Sequence, residues 1–294
     1  MKHLSGFVNI LGKPNVGKST FMNAFMGERM SIITSKAQTT RHRIFGILSG
    51  DNFQIVISDL PGIIQDPSYK MQESMMGFVR TSLEDADIFI YMVEVGDTIE
   101  NQPDEYRIIK EMNLPTLLLV NKIDKTTPEK LNEWVELYAN DFPEAHILPI
   151  SALEYANADV ILEWLLARLP EGEAYFDKDQ FTDKPERFFV SEILREKILQ
   201  NYSKEIPYSC EVEVESFEEA EDIIRISVVI YVERASQKPI LIGKNGSMLK
   251  KVGTEARKDM EVFFQKKIFL KTYVKVLPNW RNNDRNLRSF GYKE

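Results

Sequence analysis

Cysteine occurs once in the 294 residues, at Cys210, and histidine three times, at His3, His42 and His146. A single thiol excludes an intramolecular disulfide framework, and three scattered histidines cannot assemble a Cys/His zinc site. The expected setting is therefore reducing and cytoplasmic. No apolar run approaches the length that crosses a bilayer, which excludes a membrane-spanning helix of the usual kind. The first residues, Met-Lys-His-Leu-Ser-Gly-Phe-Val-Asn-Ile, carry no small-residue cleavage site, so no signal peptide is expected. No internal repeat is present. What is left is an ordinary globular composition, 43% hydrophobic and 28% charged, long enough for two domains. Its net charge of -8 is unevenly spread. From Lys238 to Glu294 there are 14 Lys/Arg against 5 Asp/Glu, a net +9, whereas the residues before them carry 23 against 40, a net -17. A basic end on an acidic body is the electrostatic footprint of a nucleic-acid contact, or else a patch that pairs with the body itself.

Glycine is sparse, 14 residues, so the places where it is patterned are informative. Gly12, Lys13, Pro14, Asn15, Val16, Gly17, Lys18, Ser19 and Thr20 follow the apolar run Phe7 to Leu11 and precede the apolar stretch Phe21 to Met26. A strand therefore enters this loop and a helix leaves it, the context a phosphate-binding loop requires. Gly12 and Gly17 let backbone N–H groups turn inward, and the helix adds its positive end. Lys18 is placed to reach β and γ phosphates, and the Ser19 hydroxyl to take one position on magnesium.

Short β-branched runs alternate with amphipathic stretches as far as residue 170, predicting strands near Gly6 to Leu11, Ile44 to Leu48, Phe53 to Ser58, Ile88 to Val95, Pro115 to Val120 and His146 to Ile150. Val160, Ile161, Trp164, Leu165 and Leu169 mark a closing helix, ended by Pro170. The reading is an α/β phosphate-loop domain over 1–170, with a mixed, mostly parallel six-stranded sheet. Residues 171–185 read as a polar, acidic linker. A second, α+β domain over 186–276 follows in the order α-β-β-α-α-β, with a basic tail at 277–294. Inside it, a short helix from Pro239 to Ile242 stops at Gly243, Lys244, Asn245 and Gly246. A long helix then carries Met248, Leu249, Val252, Ala256, Met260 and Phe263 at three-to-four spacing. A Gly-x-x-Gly corner between helices is the arrangement of a KH domain, here of type II, which clamps single-stranded RNA. Chance supplies about 0.7 such tetrapeptides in a chain with this glycine content, so the element order and Lys238, Lys244, Lys250 and Lys251 carry the case. Backbone approach at Gly243 and Gly246, with charge from those lysines, is the expected RNA contact. Ile242 is expected in the core. Tyr273, Trp280 and Phe290 are candidates for base stacking, with packing the better reading of each.

A phosphate loop does not choose its base. Asn121, Lys122, Ile123 and Asp124 follow the fifth strand, at the end where open parallel sheets bind ligands. The Asp124 carboxylate accepts from both the ring N–H and the exocyclic amine of guanine; adenine would leave it unpaired, at about 1 to 3 kcal/mol or more. Ser151, Ala152 and Leu153, after the last strand, offer backbone N–H groups to the guanine oxygen. Asp59, Leu60, Pro61 and Gly62 lie between: Asp59 to hold magnesium through water, the Gly62 N–H to sense the γ phosphate. Thr39 or Thr40 closes over the metal from the segment Ser31 to Arg43, Thr40 being favoured. Loss of the γ phosphate would release both segments. Lys18, Thr40 and Gly62 are thus the candidates for catalytic roles.

This ordered set resembles the five G motifs of small GTPases, and with the KH-like unit appended the chain resembles the bacterial Era family over essentially its whole length. The ending Leu287-Arg288-Ser289-Phe290-Gly291-Tyr292 is similar as well. Leu60 and Tyr155 depart from the residues usual in the third and after the fifth motif. The resemblance implies GTP and GDP as ligands with Mg2+, and slow intrinsic hydrolysis to GDP and phosphate, since Ile63 stands where many small GTPases orient water with glutamine. It also implies that Asn15 is either a potassium ligand or a local turn residue. The implied partners are the 3′ end of 16S rRNA and the small (30S) ribosomal subunit, in 16S processing and assembly, with the protein a monomer. The alternative is a nucleotide-dependent adaptor in cell-cycle or membrane-associated regulation, peripheral on the inner membrane face.

Overall fold

The computed structural model of the chain describes residues 2–154 and 157–293, so Tyr155 lies outside the described residues. Contacts divide the chain into two compact units. One contains the residues up to Ser31 with Thr40–Pro67 and Met75–Asp183; the other contains Ile32–Thr39, Ser68–Ser74 and the residues from Lys184 onward.

Six strands build the first unit: β1 Leu4–Leu11, β2 Ile44–Ser49, β3 Phe53–Asp59, β4 Ile88–Glu94, β5 Thr116–Asn121 and β6 His146–Pro149. They stand in the order β2-β3-β1-β4-β5-β6, with β2 antiparallel to β3 and the remaining neighbours parallel. Helices α1 Lys18–Met26, α2 Lys70–Glu84, α3 Asp104–Met112, α4 Pro128–Asp141 and α5 Ala158–Leu166 connect them. Because helices cover both faces, the central strands are apolar throughout: every residue of β5 is buried. On one face Val8, Ile10 and Leu117 meet Phe21 and Met22 of α1 and Ile161, Trp164 and Leu165 of α5. The chain turns to opposite sides after β1 and β3, so a crevice opens at the carboxyl ends of β1, β3 and β4. This is the mixed, mostly parallel six-stranded sheet expected from the sequence.

The stretch after α5 is ordered on that sheet. Leu4 bridges Glu171, Gly46 bridges Thr182, and the Ile47 N–H donates to the Phe181 carbonyl at 2.9 Å. Gln54, buried, accepts from the N–H groups of Tyr175 and Phe176 at 2.8 and 2.9 Å. The segment thereby covers the free edge of β2, which would otherwise present unpaired backbone groups.

The second unit holds α6 Glu186–Asn201, a one-turn helix α7 Ile206–Ser209, β7 Cys210–Glu219, β8 Ile223–Val232, α8 Gln237–Ile242, α9 Ser247–Phe264 and β9 Lys267–Val276. The α-β-β-α-α-β order is as read from the sequence, with the one-turn helix α7 added before β7. The sheet runs β7-β8-β9, antiparallel then parallel. Val190, Ile193 and Leu194 of α6 and Val252, Ala256 and Met260 of α9 pack with Ile224, Ile226 and Val228 beneath. The basic tail is folded over its described residues: Trp280, Leu287 and Tyr292 are buried, and α10 Asp284–Ser289 is capped by the Asn283 side chain. No helix among the described residues is long and apolar enough to cross a membrane.

Candidate nucleotide and RNA sites

At the crevice, the loop from Gly12 to Ser19 turns sharply out of β1. Gly12 has φ +142° and Gly17 φ +110°; a Cβ on Gly12 would stand 2.3 Å from the Met92 carbonyl, and one on Gly17 2.2 Å from the Asn121 amide nitrogen. Glycine is demanded at both by backbone angle and by space. Asn15 is also left-handed, φ +65°, a conformation asparagine tolerates, and its carbonyl accepts from the Lys122 ammonium at 2.8 Å. Lys18 opens α1 and is buried, its ammonium donating to the Gly12 and Lys13 carbonyls at 2.9 Å each. Burial pulls its pKa down to about 8, with the Asp59 charge acting in the other direction. Lys13 on the outer wall pairs with Asp97 at 3.0 Å.

Three oxygen donors from three separate segments converge beside Lys18. The Ser19 hydroxyl donates to Asp59 Oδ2 at 2.7 Å and lies 2.9 Å from the Thr40 hydroxyl, which donates to the same oxygen at 3.2 Å. Asp59 Oδ1 is buried with no hydrogen-bond partner among the described residues. Burial raises the Asp59 pKa, while the Ser19 hydroxyl and the Lys18 charge oppose the rise. An orphaned carboxylate oxygen beside two hydroxyls is a hard-oxygen set that fits magnesium with phosphate and water completing the shell. Among the described residues no three His, Cys, Asp or Glu side chains cluster to hold a metal alone. Thr39 points elsewhere, its hydroxyl donating to the Lys36 carbonyl and facing Thr34, both at 2.6 Å. Gly62 lies against the loop: a Cβ there would meet Pro14 at 2.7 Å. Its neighbours Leu60 and Ile63 are buried, Ile63 donating its N–H to the Gly12 carbonyl at 3.4 Å.

Asn121, at the end of β5, joins the parts. Its amide donates to the Val16 carbonyl at 2.7 Å, and its oxygen accepts from the Ala152 N–H at 2.9 Å. Asp124 lies exposed at the rim, oriented by the Ser151 hydroxyl at 2.9 Å, and Leu153 beside it is 81% exposed. Lys122 is held by Glu94 as well as by Asn15. The sequence reasoning missed Glu94 and Asp97, whose roles arise only because β4 ends beside the phosphate loop.

In the second unit the corner between α8 and α9 has Gly243 at φ +74°, Asn245 at +51° and Gly246 at +78°. Lys244, Asn245, Lys250 and Lys251 are exposed around it. A Cβ on Gly243 would strike Met248 at 2.7 Å, whereas nothing stands within 4 Å of one on Gly246. Leu241 and Ile242 belong to the core beneath. Trp280 is packed at 0% exposure, its N–H donating to the Ser209 carbonyl at 3.1 Å, and Phe290 rests on it. Tyr273 differs from expectation: it is 48% exposed, because odd-numbered residues of β9 face away from the helices.

Comparison with known proteins agrees with both halves. A family model described as a 50S ribosome-binding GTPase matches residues 7–122, and one described as a KH domain matches residues 205–281. GTPase Era of Staphylococcus epidermidis is 44% identical over 100% of this chain and 98% of its own length. A crystal structure of Era in complex with MgGDPNP and nucleotides 1506–1542 of 16S ribosomal RNA superposes with a TM-score of 0.93 at 36% identity, over 99% of this chain and 100% of that one. A variant of Aquifex aeolicus Era bound to GDP and AlF4- gives 0.92 at 36% identity, with 100% of both chains covered. With a phosphate loop and a KH corner on one chain and such identity along its full length, the chain belongs to the Era family of GTPases.

Proposed function

We propose that this protein is a GTP-hydrolysing switch that grips the 3′ portion of 16S rRNA during assembly of the small ribosomal subunit, in the cytoplasm. The observation that carries it is the convergence of Ser19, Thr40 and Asp59 beside Lys18 on the same chain as an exposed, lysine-flanked Gly-x-x-Gly corner. Lys18 would exchange its two loop carbonyls for β and γ phosphate oxygens, and Asp124 and Asn121 would fix guanine. Bound magnesium, held by Ser19 and Thr40 and through water by Asp59, would neutralise charge on the phosphates. Gly62, pressed against Pro14, would offer its N–H to the γ phosphate. Ile63, buried and apolar, cannot orient the attacking water as glutamine does elsewhere, and turnover by the isolated protein is slow.

In the RNA half, Gly243 and Gly246 admit the RNA backbone, with Asn245 lining the corner and Lys244, Lys250 and Lys251 neutralising phosphates. The experiment is binding of a single-stranded RNA copied from the 3′ end of 16S rRNA, in GDPNP and in GDP. Tighter binding in GDPNP, abolished by Lys244→Asp/Asn245→Asp, is the expected result; equal binding in both nucleotides removes the switch. These exposed positions make a cleaner control than Gly243, where any side chain would displace Met248. Potassium is tested at Asn15→Gly, which keeps the left-handed backbone and deletes the amide: loss of potassium stimulation there assigns the ion to Asn15.

A further inference from the structure

Helix α6 carries four charged residues, Glu192, Arg195, Glu196 and Lys197, that are all buried and that nothing in phosphate or RNA chemistry uses. Buried charges persist where specific partners hold them. Glu192 takes Arg195 in a two-pronged pair, Nε at 2.7 Å and Nη2 at 2.6 Å. That pair fixes the guanidinium plane and turns its remaining N–H groups toward the segment Ile32–Thr39: Nη2 donates to the Thr39 carbonyl, and Nη1 to the Gln38 carbonyl at 3.4 Å. Glu196 accepts the Ile33 N–H at 3.2 Å at the other end of the segment. The Lys36 ammonium donates to the carbonyls of Leu199 and Tyr202, capping the last turn of α6 with a cation where the helix dipole favours one. Segment 32–39 is thus packed as part of the second unit, and the division between units falls at the Thr39–Thr40 peptide bond.

We propose that Arg195 is a positioning residue for the GTP-bound state. It holds the Thr39 carbonyl, and Thr40, next in the chain, carries the hydroxyl that meets Ser19 and Asp59. Successive Cα atoms are about 3.8 Å apart, so releasing Thr39 leaves Thr40 without a fixed register. A γ phosphate with its metal stabilises Thr40 in the position it takes beside Ser19 and Asp59, so the grip of Arg195 on that position favours GTP over GDP. Linkage is reciprocal: a ligand that biases α6, such as RNA bound by the unit to which α6 belongs, alters GTP affinity through the same carbonyl. This inference rests on the GTP-switch reading above.

The test is titration of the full chain with fluorescent GDPNP and GDP in excess magnesium, comparing wild type with Arg195→Gln, Arg195→Lys and Lys36→Met. Coupling between sites is typically about 5- to 150-fold, and Arg195→Gln should lower GDPNP affinity within that range while GDP affinity moves less than about twofold. Arg195→Lys keeps the charge without the fork and should recover only part of the loss. Lys36→Met releases the same segment without disturbing the Glu192 pair, so it carries the test if Arg195→Gln does not fold. GDPNP and GDP affinities that fall together, or that both stay at wild-type values, would overturn the inference and leave Arg195 a purely structural ion-pair partner. A wild-type chain that binds GDPNP and GDP in the same way would instead remove the switch reading on which it stands.

Discussion

Lys18 is the single residue proposed to link the fold to its phosphate ligand. Its amine, with a pKa lowered by burial to about 8, is largely neutral at about pH 9 in the free protein, and polyphosphate restores its proton. Binding therefore takes up a proton, and nucleotide affinity falls as pH rises from about 8 toward the ordinary lysine value near 10.4. Calorimetry in two buffers of different ionisation enthalpy should show uptake approaching one proton per nucleotide at about pH 9 and far less near pH 7; buffer-independent heats at the higher pH would take Lys18 away from the phosphates. Asp124 is proposed to set a different quantity, the choice of base. Asp124→Ala should weaken GTP by about 10- to 100-fold with no change for ATP, because hydrogen bonds to charged groups are worth about 1.5 to 3 kcal/mol. Parallel losses for both nucleotides in a competition assay would place base recognition elsewhere. The positions of both residues beyond the ends of β1 and β5 follow from the sequence, since spacing after a strand fixes where a side chain emerges. Thr40 was favoured over Thr39 in the sequence, and their hydroxyls point to different partners in the fold, Thr40 to Asp59 and Thr39 to the Lys36 carbonyl.

At the level of elements, the tail after β9 is the clearest addition made by the structure. Its charge and aromatics suited RNA contact as well as packing, and no periodicity in so short a segment decides between them. Trp280 is wholly buried with its N–H satisfied, so it is part of the second unit's core. Trp280→Ala should destabilise the protein by about 3 to 5 kcal/mol, read as a lowered denaturant midpoint. Tyr273→Ala, on the open face of β9, should change stability by less than about 0.5 kcal/mol. A large drop for Tyr273→Ala would mean that this face is covered in solution. Helix α6 was also incompletely legible. Its place at the start of the second domain followed from the element order, but ten of its residues are buried, because segment 32–39 packs on it in addition to its own sheet. Residues 171–185 read as a linker from their polarity, and within them Glu171, Phe181 and Thr182 pair with β1 and β2 through backbone bonds that side-chain composition cannot report.

Across the full chain, the separation of charge, +9 from Lys238 onward and -17 before it, sets how RNA binding responds to salt. A KH corner clamps about four nucleotides, and single strands release about 0.7 counterions per phosphate, so log affinity against log salt should fall with a slope of about -3. A slope near zero would mean that the basic end is spent on the acidic body; one much steeper would mean phosphate contacts well beyond the corner. Local residue pattern was enough to specify the two folds and to place the phosphate-loop and Gly-x-x-Gly sequences at the ends of their elements, because each depends on residue type at fixed spacing along the chain. Packing in three dimensions was needed to settle which threonine joins Ser19 and Asp59, why Glu94 and Asp97 stand behind the loop, and that segments 32–39 and 68–74 pack with the second unit. Those are contacts between residues far apart in the chain, and their partners are fixed by how elements stack, which local pattern does not encode.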